Sequence, residues 1–197
     1  MEKRKYIYST LLLSLFATGC TSNLILTDTN QEVRVQHQQR EIIQHQPIQA
    51  DNYHQLKTIQ GPVITVGTRR NGFTFPQYPG KVVLLQIFGK ECPYCFEELP
   101  VIANIHRQYA QKLNIVAIQA QDPMSKNTAS RLINRFQMYY PIIERDNASE
   151  LLLFLSNTYG WTGILPYTLL IKNGVTEYSF SGQVDKRELE EAVRSLI

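Results

Sequence analysis

The chain has 197 residues, room for one domain of ordinary size with an appendage. Hydrophobic residues make up 43% and charged residues 19%, a composition that builds a packed core and excludes wholesale disorder. The formal net charge is +3, and Glu2, Lys3, Arg4 and Lys5 account for two of those charges, so the remainder gives no support for a nucleic-acid binder. Three cysteines are too few for a disulfide-dense scaffold or a four-cysteine zinc site.

The N-terminus reads as an address. Met1 to Lys5 is positive, and Tyr6 to Phe16 is an apolar run of 11 residues, well short of the about 20 needed to span a bilayer. Closed by the small residues Ala17-Thr18-Gly19, such a start is a secretory signal peptide. Cys20 comes directly after them, and the segment resembles a bacterial lipobox, with Ala17 where that motif usually has Leu. The resemblance implies a lipoprotein signal peptide over residues 1–19, cut before Cys20, and a lipid on the Cys20 thiol. An acyl anchor holds a protein to a membrane without spanning it, so the expected location is extracytoplasmic, facing the periplasm.

Residues 20–60 differ in composition from the C-terminal part of the chain. Nine glutamines lie between Gln31 and Gln60, with His37, His45 and His54 among them. Apolar pairs such as Ile42-Ile43 keep neither a helical nor a strand period. The segment reads as an extended tether with solvated histidines, whose spacing fits no compact metal site.

A globular pattern begins at Gly61 and is expected to run to residue 197. Val63 to Val66, a turn at Asn71-Gly72 and Phe73 to Phe75 predict a small N-terminal hairpin. Lys81 to Phe88 is a nearly all-apolar strand, suited to burial on both faces. A helix is expected after Cys95, carrying Leu99, Ile102, His106 and Tyr109. Leu113 to Ile118 is a second core strand. Ala129, Leu132, Ile133 and Phe136 mark a second helix. Asn147 reads as the cap of a third helix over Glu150 to Tyr159. Tyr167 to Ile171 and Val175 to Phe180 form a hairpin about Asn173-Gly174, and Asp185 with Glu188 caps the last helix. The expected fold class is α/β, a central mixed β-sheet flanked by helices on both faces.

The chemistry is carried by Cys92-Pro93-Tyr94-Cys95, a Cys-x-x-Cys pair between a core strand and a helix. At the helix start, free N–H groups and the dipole favour a thiolate on Cys92. Cys95, one turn on, is in reach to attack a mixed disulfide formed by Cys92. Half of a zinc site, a structural disulfide and a copper(I) carrier use the same two residues; zinc lacks further ligands, since His106 is the one histidine of the globular part.

The run from Gly80 through Cys92-Pro93-Tyr94-Cys95 to Glu98 and Pro100 resembles the thioredoxin superfamily, and within it the extracytoplasmic TlpA/ResA-like thiol-disulfide oxidoreductases. Leu165-Pro166-Tyr167-Thr168 is similar to the family's second landmark, which implies a cis-proline at Pro166. Pro166, Pro93 and Tyr94 are then the residues on which a partner chain docks. The resemblance implies a thioredoxin-like fold, Cys92 as nucleophile, Cys95 as resolving thiol, and no metal or organic cofactor. The implied partners are cysteine-containing secreted proteins and a membrane electron donor or acceptor. A reductase is favoured, apocytochromes c being substrates of such relatives. A disulfide-forming oxidase is the alternative, and a copper-binding module on the same fold the alternative of another class. Three positions depart from the family: Glu91 stands where Trp is frequent, Gln86 replaces the buried Asp of thioredoxin, and two residues instead of one separate Gly163 from Pro166. Glu98 reads as an exposed helical residue in preference to a substitute for that Asp, and Trp161 as either groove or core.

Overall fold

The computed structural model describes residues 50–197. The expected signal peptide over residues 1–19 and Cys20 lie outside the described residues, and so does most of the expected tether. Among the described residues no helix is long and apolar enough to cross a membrane.

Three strands come first: β1 (Asn52–Lys57), β2 (Val63–Arg69) and β3 (Gly72–Thr74), in a sheet of order β1-β2-β3. The expected hairpin is β2–β3. Strand β1 corrects the tether boundary, because it pairs with β2 along six residues, from Asn52 opposite Thr68 to Lys57 opposite Val63. Of its side chains only Leu56 is buried, so β1 is held chiefly by backbone pairing and shows no apolar alternation. His54 is not a solvated linker histidine either. Its Nδ1 lies 3.0 Å from Glu150 Oε2.

The main sheet contains β4 (Val82–Phe88), β5 (Leu113–Gln119), β6 (Ile142–Glu144), β7 (Tyr167–Lys172) and β8 (Val175–Ser181), in the order β6-β5-β4-β7-β8. The β4–β5 and β5–β6 pairs are parallel, and β4–β7 and β7–β8 are antiparallel. All seven residues of β4 are buried, as its apolar run requires of a strand with both faces covered. Val82, Leu84 and Phe88 face one core; Val83, Leu85 and Ile87 face the other.

Helices α1 (Pro93–Tyr109), α2 (Lys126–Phe136) and α4 (Lys186–Leu196) contribute to the first core. Helix α3 (Ser149–Tyr159) and the small sheet cover the second, with Leu151, Leu155, Val66 and Phe73 inside it. Ser125 caps α2 through a bond from the Thr128 N–H, and Asp185 caps α4 through bonds from the N–H groups of Arg187 and Glu188. Asn147 does not cap α3. It is exposed in a 3-10 turn over Arg145–Ala148 that leads straight into the helix.

Residues 58–60 close the outer edge of β6. The Ile59 N–H donates to the Ile142 carbonyl at 2.7 Å. Gln60 reaches both ways along the strand, its Nε2 to the Tyr140 carbonyl at 2.8 Å and its Oε1 to the Ile142 N–H at 3.2 Å. The Asn71-Gly72 and Asn173-Gly174 turns meet: the Thr176 N–H donates to the Asn71 carbonyl, and a Cβ on Gly72 would lie 2.3 Å from the Gly174 carbonyl oxygen. Backbone contact that close admits only glycine.

Candidate active site

Strand β4 ends at Phe88, and Gly89-Lys90-Glu91 leads from it to Cys92. Cys92 is the N-cap of α1. It is extended (φ −109°, ψ 102°), its Sγ accepts the Cys95 N–H at 3.1 Å, and Pro93 opens the first turn. Proline suits that position, where its missing N–H costs no helical bond. Cys92 and Cys95 are joined in a disulfide with Cα atoms 5.2 Å apart. Cys95 is fully buried, whereas Cys92 keeps 7% of its surface exposed. An incoming group therefore meets Cys92 and not Cys95. Beside them Pro93 is exposed and Tyr94 is 61% exposed.

The Leu165–Pro166 peptide bond is cis. Pro166 immediately precedes Tyr167, which pairs with Ile87 near the end of β4. The β4–β7 register thus brings the proline and the cysteine loop to the same end of the sheet. The Pro166 carbonyl is engaged by the Gly182 N–H at 2.9 Å. Trp161 is half-buried against the second core, and its indole N–H donates to the Ile164 carbonyl at 2.9 Å. It braces the loop before Pro166, and its packing on the second core accords with the core reading of this residue. In that loop Ile164 is 53% exposed.

Glu98 is the residue that the sequence reading misplaced. It is 1% exposed, on the inner side of α1. Gln86 Nε2 donates to its Oε2 at 3.3 Å, and the Val184 N–H to its Oε1 at 3.4 Å. Burial pushes its carboxyl up to about 7, against the downward pull of those two hydrogen bonds. Burial likewise raises the Tyr140 hydroxyl, and the charge on Glu98 adds to it. The signal for Glu98 was present: Cys95, Glu98, Leu99 and Ile102 follow the i, i+3, i+4, i+7 stripe of a buried helix face. Gln86, in place of an acid, therefore faces an acid.

No group of three or more His, Cys, Asp or Glu side chains among the described residues is placed to hold a metal ion. His106 is eleven residues past Cys95, about 16 Å along α1 at ~1.5 Å per residue. It packs edge-on against Tyr140 instead.

The fold matches solved structures. A thioredoxin-family thiol:disulfide interchange protein from Chlorobium tepidum superposes with a TM-score of 0.60 at 18% identity, over 77% of this chain and 97% of that one. In sequence, the thiol-disulfide oxidoreductase ResA of Geobacillus thermodenitrificans is 31% identical over 121 residues, 60% of this chain and 65% of that protein. The chain has a thioredoxin-like fold, and in sequence it resembles the ResA thiol-disulfide oxidoreductases. The thioredoxin-like protein YneN of Bacillus subtilis is 25% identical over 95% of this chain and 96% of its own length. No family model matches the chain. The match spans about 65% of the length of the ResA relative. The cis bond at Pro166 is the one that the resemblance implied from the sequence.

Proposed function

We propose that this chain is a membrane-anchored extracytoplasmic thiol-disulfide oxidoreductase working through Cys92 and Cys95. The observation that carries the reading is the asymmetry of the pair: Cys92 caps a helix and is reachable, and Cys95 is sealed behind it. A thiolate on Cys92 is stabilised by the helix start and by the Cys95 N–H. It attacks one sulfur of a substrate disulfide, forms a mixed disulfide and releases the first substrate thiolate. The Cys95 thiolate then attacks the Cys92 sulfur, closes the internal disulfide and releases the second substrate thiolate. Two electrons pass from the dithiol to the substrate, and each released thiolate takes up a proton. Glu98, one turn beyond Cys95 with a carboxyl titrating near 7, is suited to take the proton that Cys95 gives up.

The favoured direction is reduction, with cysteine-bearing secreted proteins as substrates, apocytochromes c among them. A membrane thiol donor would recharge the pair. The exposed Pro93 and Tyr94 form the docking surface, the buried Pro166 shapes it, and Cys20 carries the lipid. The Glu91 carboxylate beside the pair is held by Lys90 Nζ at 2.9 Å, so the loop presents little net charge to Cys92. That favours a moderate donor over a strong oxidant.

The deciding experiment is trapping. A Cys95→Ser variant should accumulate covalent adducts through Cys92, and Cys92→Ser should not. Adducts through Cys95 would reverse the roles. A potential near −270 mV, thioredoxin's approximate value, supports a reductase, and one near about −120 mV an oxidase. Tight copper(I) binding without disulfide exchange would replace the reading by metal carriage.

A further inference from the structure

The loop that presents Cys92 is held from one place. The segment leaving β5, Ala120-Gln121, touches it at both ends. The Ala120 N–H donates to the Phe88 carbonyl at 2.8 Å, and Gln121 Oε1 accepts the Glu91 N–H at 2.9 Å. Between those anchors lies Gly89, which is buried. A Cβ placed there would sit 2.5 Å from Gln121 Cδ and 2.6 Å from its Oε1. The amide thus occupies the space that a side chain at position 89 would fill. The backbone of Gln121 is itself held: its N–H donates to Gln119 Oε1, and Gln119, fully buried, donates to the Asp122 carbonyl at 2.7 Å.

We propose that Gln121 is a positioning residue for Cys92, its amide pinning the Glu91 peptide so that the cysteine is held in its capping geometry. Glycine at 89 is required because that amide needs the room. The inference rests on the oxidoreductase reading, since it concerns how the same nucleophile is presented. The mechanism is local. Cys92 stabilises its thiolate only while its Sγ stays on the helix start, and the peptide one residue earlier sets where the Sγ points. A side-chain acceptor from the segment leaving β5 fixes that peptide without adding charge beside the sulfur.

The test is the pH profile of Cys92 alkylation by iodoacetamide in the full-length reduced protein. Gln121→Met keeps the bulk and removes the acceptor. It should slow alkylation at pH 7 roughly fivefold, the size expected for one neutral hydrogen bond, and move the profile to higher pH. The melting temperature of the oxidised protein should shift by only a few degrees. Gln121→Glu keeps an acceptor and should return to the wild-type rate at high salt, where its charge is screened. Gly89→Ala, which displaces the amide, should share the defect, and combining it with Gln121→Ala should add nothing further. A Met variant alkylated at the wild-type rate, or defects that add, would overturn the proposal. Wild-type Cys92 reacting no faster than a free cysteine would sink the oxidoreductase reading instead, so the two failures are distinguishable.

Discussion

Glu98 holds a carboxyl group in a place built largely from apolar side chains, and its titration leaves a mark on stability. Its folded value, about 7, lies above the ordinary value of 4.5. A carboxyl raised in this way favours the folded state fully below the ordinary value, and that contribution is lost as pH rises through the folded one. The span corresponds to about 3 kcal/mol at ~1.4 kcal/mol per unit. Urea unfolding of the oxidised protein, whose cysteines do not titrate, should therefore give a stability that falls between pH 5 and pH 8. Glu98→Gln should flatten that slope and be the more stable protein at pH 8. Burial raises Glu144 too, so the difference between wild type and variant isolates Glu98. A Glu98→Gln protein with the wild-type slope would contradict the assignment. At Glu91 the expected effect is small. Its carboxylate is exposed and paired with Lys90, and an exposed charge a few ångströms from a sulfur is worth about 1 kcal/mol. Glu91→Gln should speed Cys92 alkylation at pH 7 by less than tenfold; a larger change would mean that the pairing does not offset the charge.

Among the elements, those with strong periodicity were legible. The all-apolar run of β4, the stripe on α2 and the two Asn-Gly turns each led to the observed element. Strand β1 did not, because five of its six side chains are not buried and its partner, β2, is what makes it a strand. Strand β6 has three residues, too few to show a period. The Asn147 cap was misread because the preceding 3-10 turn carries the chain into α3 without a side-chain bond. The boundary now matters for experiment. A chain beginning at Gly61 lacks β1, with its buried Leu56, and lacks the Gln60 bonds to the β6 segment. It should melt well below a chain beginning at residue 50. Leu56→Ala alone should cost about 2–3 kcal/mol in urea unfolding, as for other buried leucines cut to alanine. Equal melting temperatures for the two truncations would show that β1 contributes nothing to the fold.

For the molecule as a whole, the sequence led to both ends of the site. Cys92-Pro93-Tyr94-Cys95 and Pro166 lie 71 positions apart in the chain from Cys95 to Pro166, and the register of β4 with β7 brings them together. What supports them was not legible. Gln86, Glu98 and Gln121 are polar residues whose roles depend on tertiary neighbours, and Gln121 carries no motif. The membrane reading also belongs to this scale: Cys20→Ala should release the protein from membranes or block its maturation, as fractionation would show, and retention of a mature Cys20→Ala protein on the membrane would refute the anchor.

The β6 edge closed by residues 58–60 has a consequence for handling and for the cell. A strand edge with free N–H and carbonyl groups is a template for another chain. Here the protein's own upstream segment fills one edge, and among the described residues β8 bounds the other. A protease cutting before Pro62 would do more than trim a tether. It would expose the β6 edge beside freshly bared apolar surface, and clipped molecules would be prone to associate edge to edge. Aggregation should therefore follow cleavage in that short segment, and cuts before residue 50 should leave the domain monodisperse.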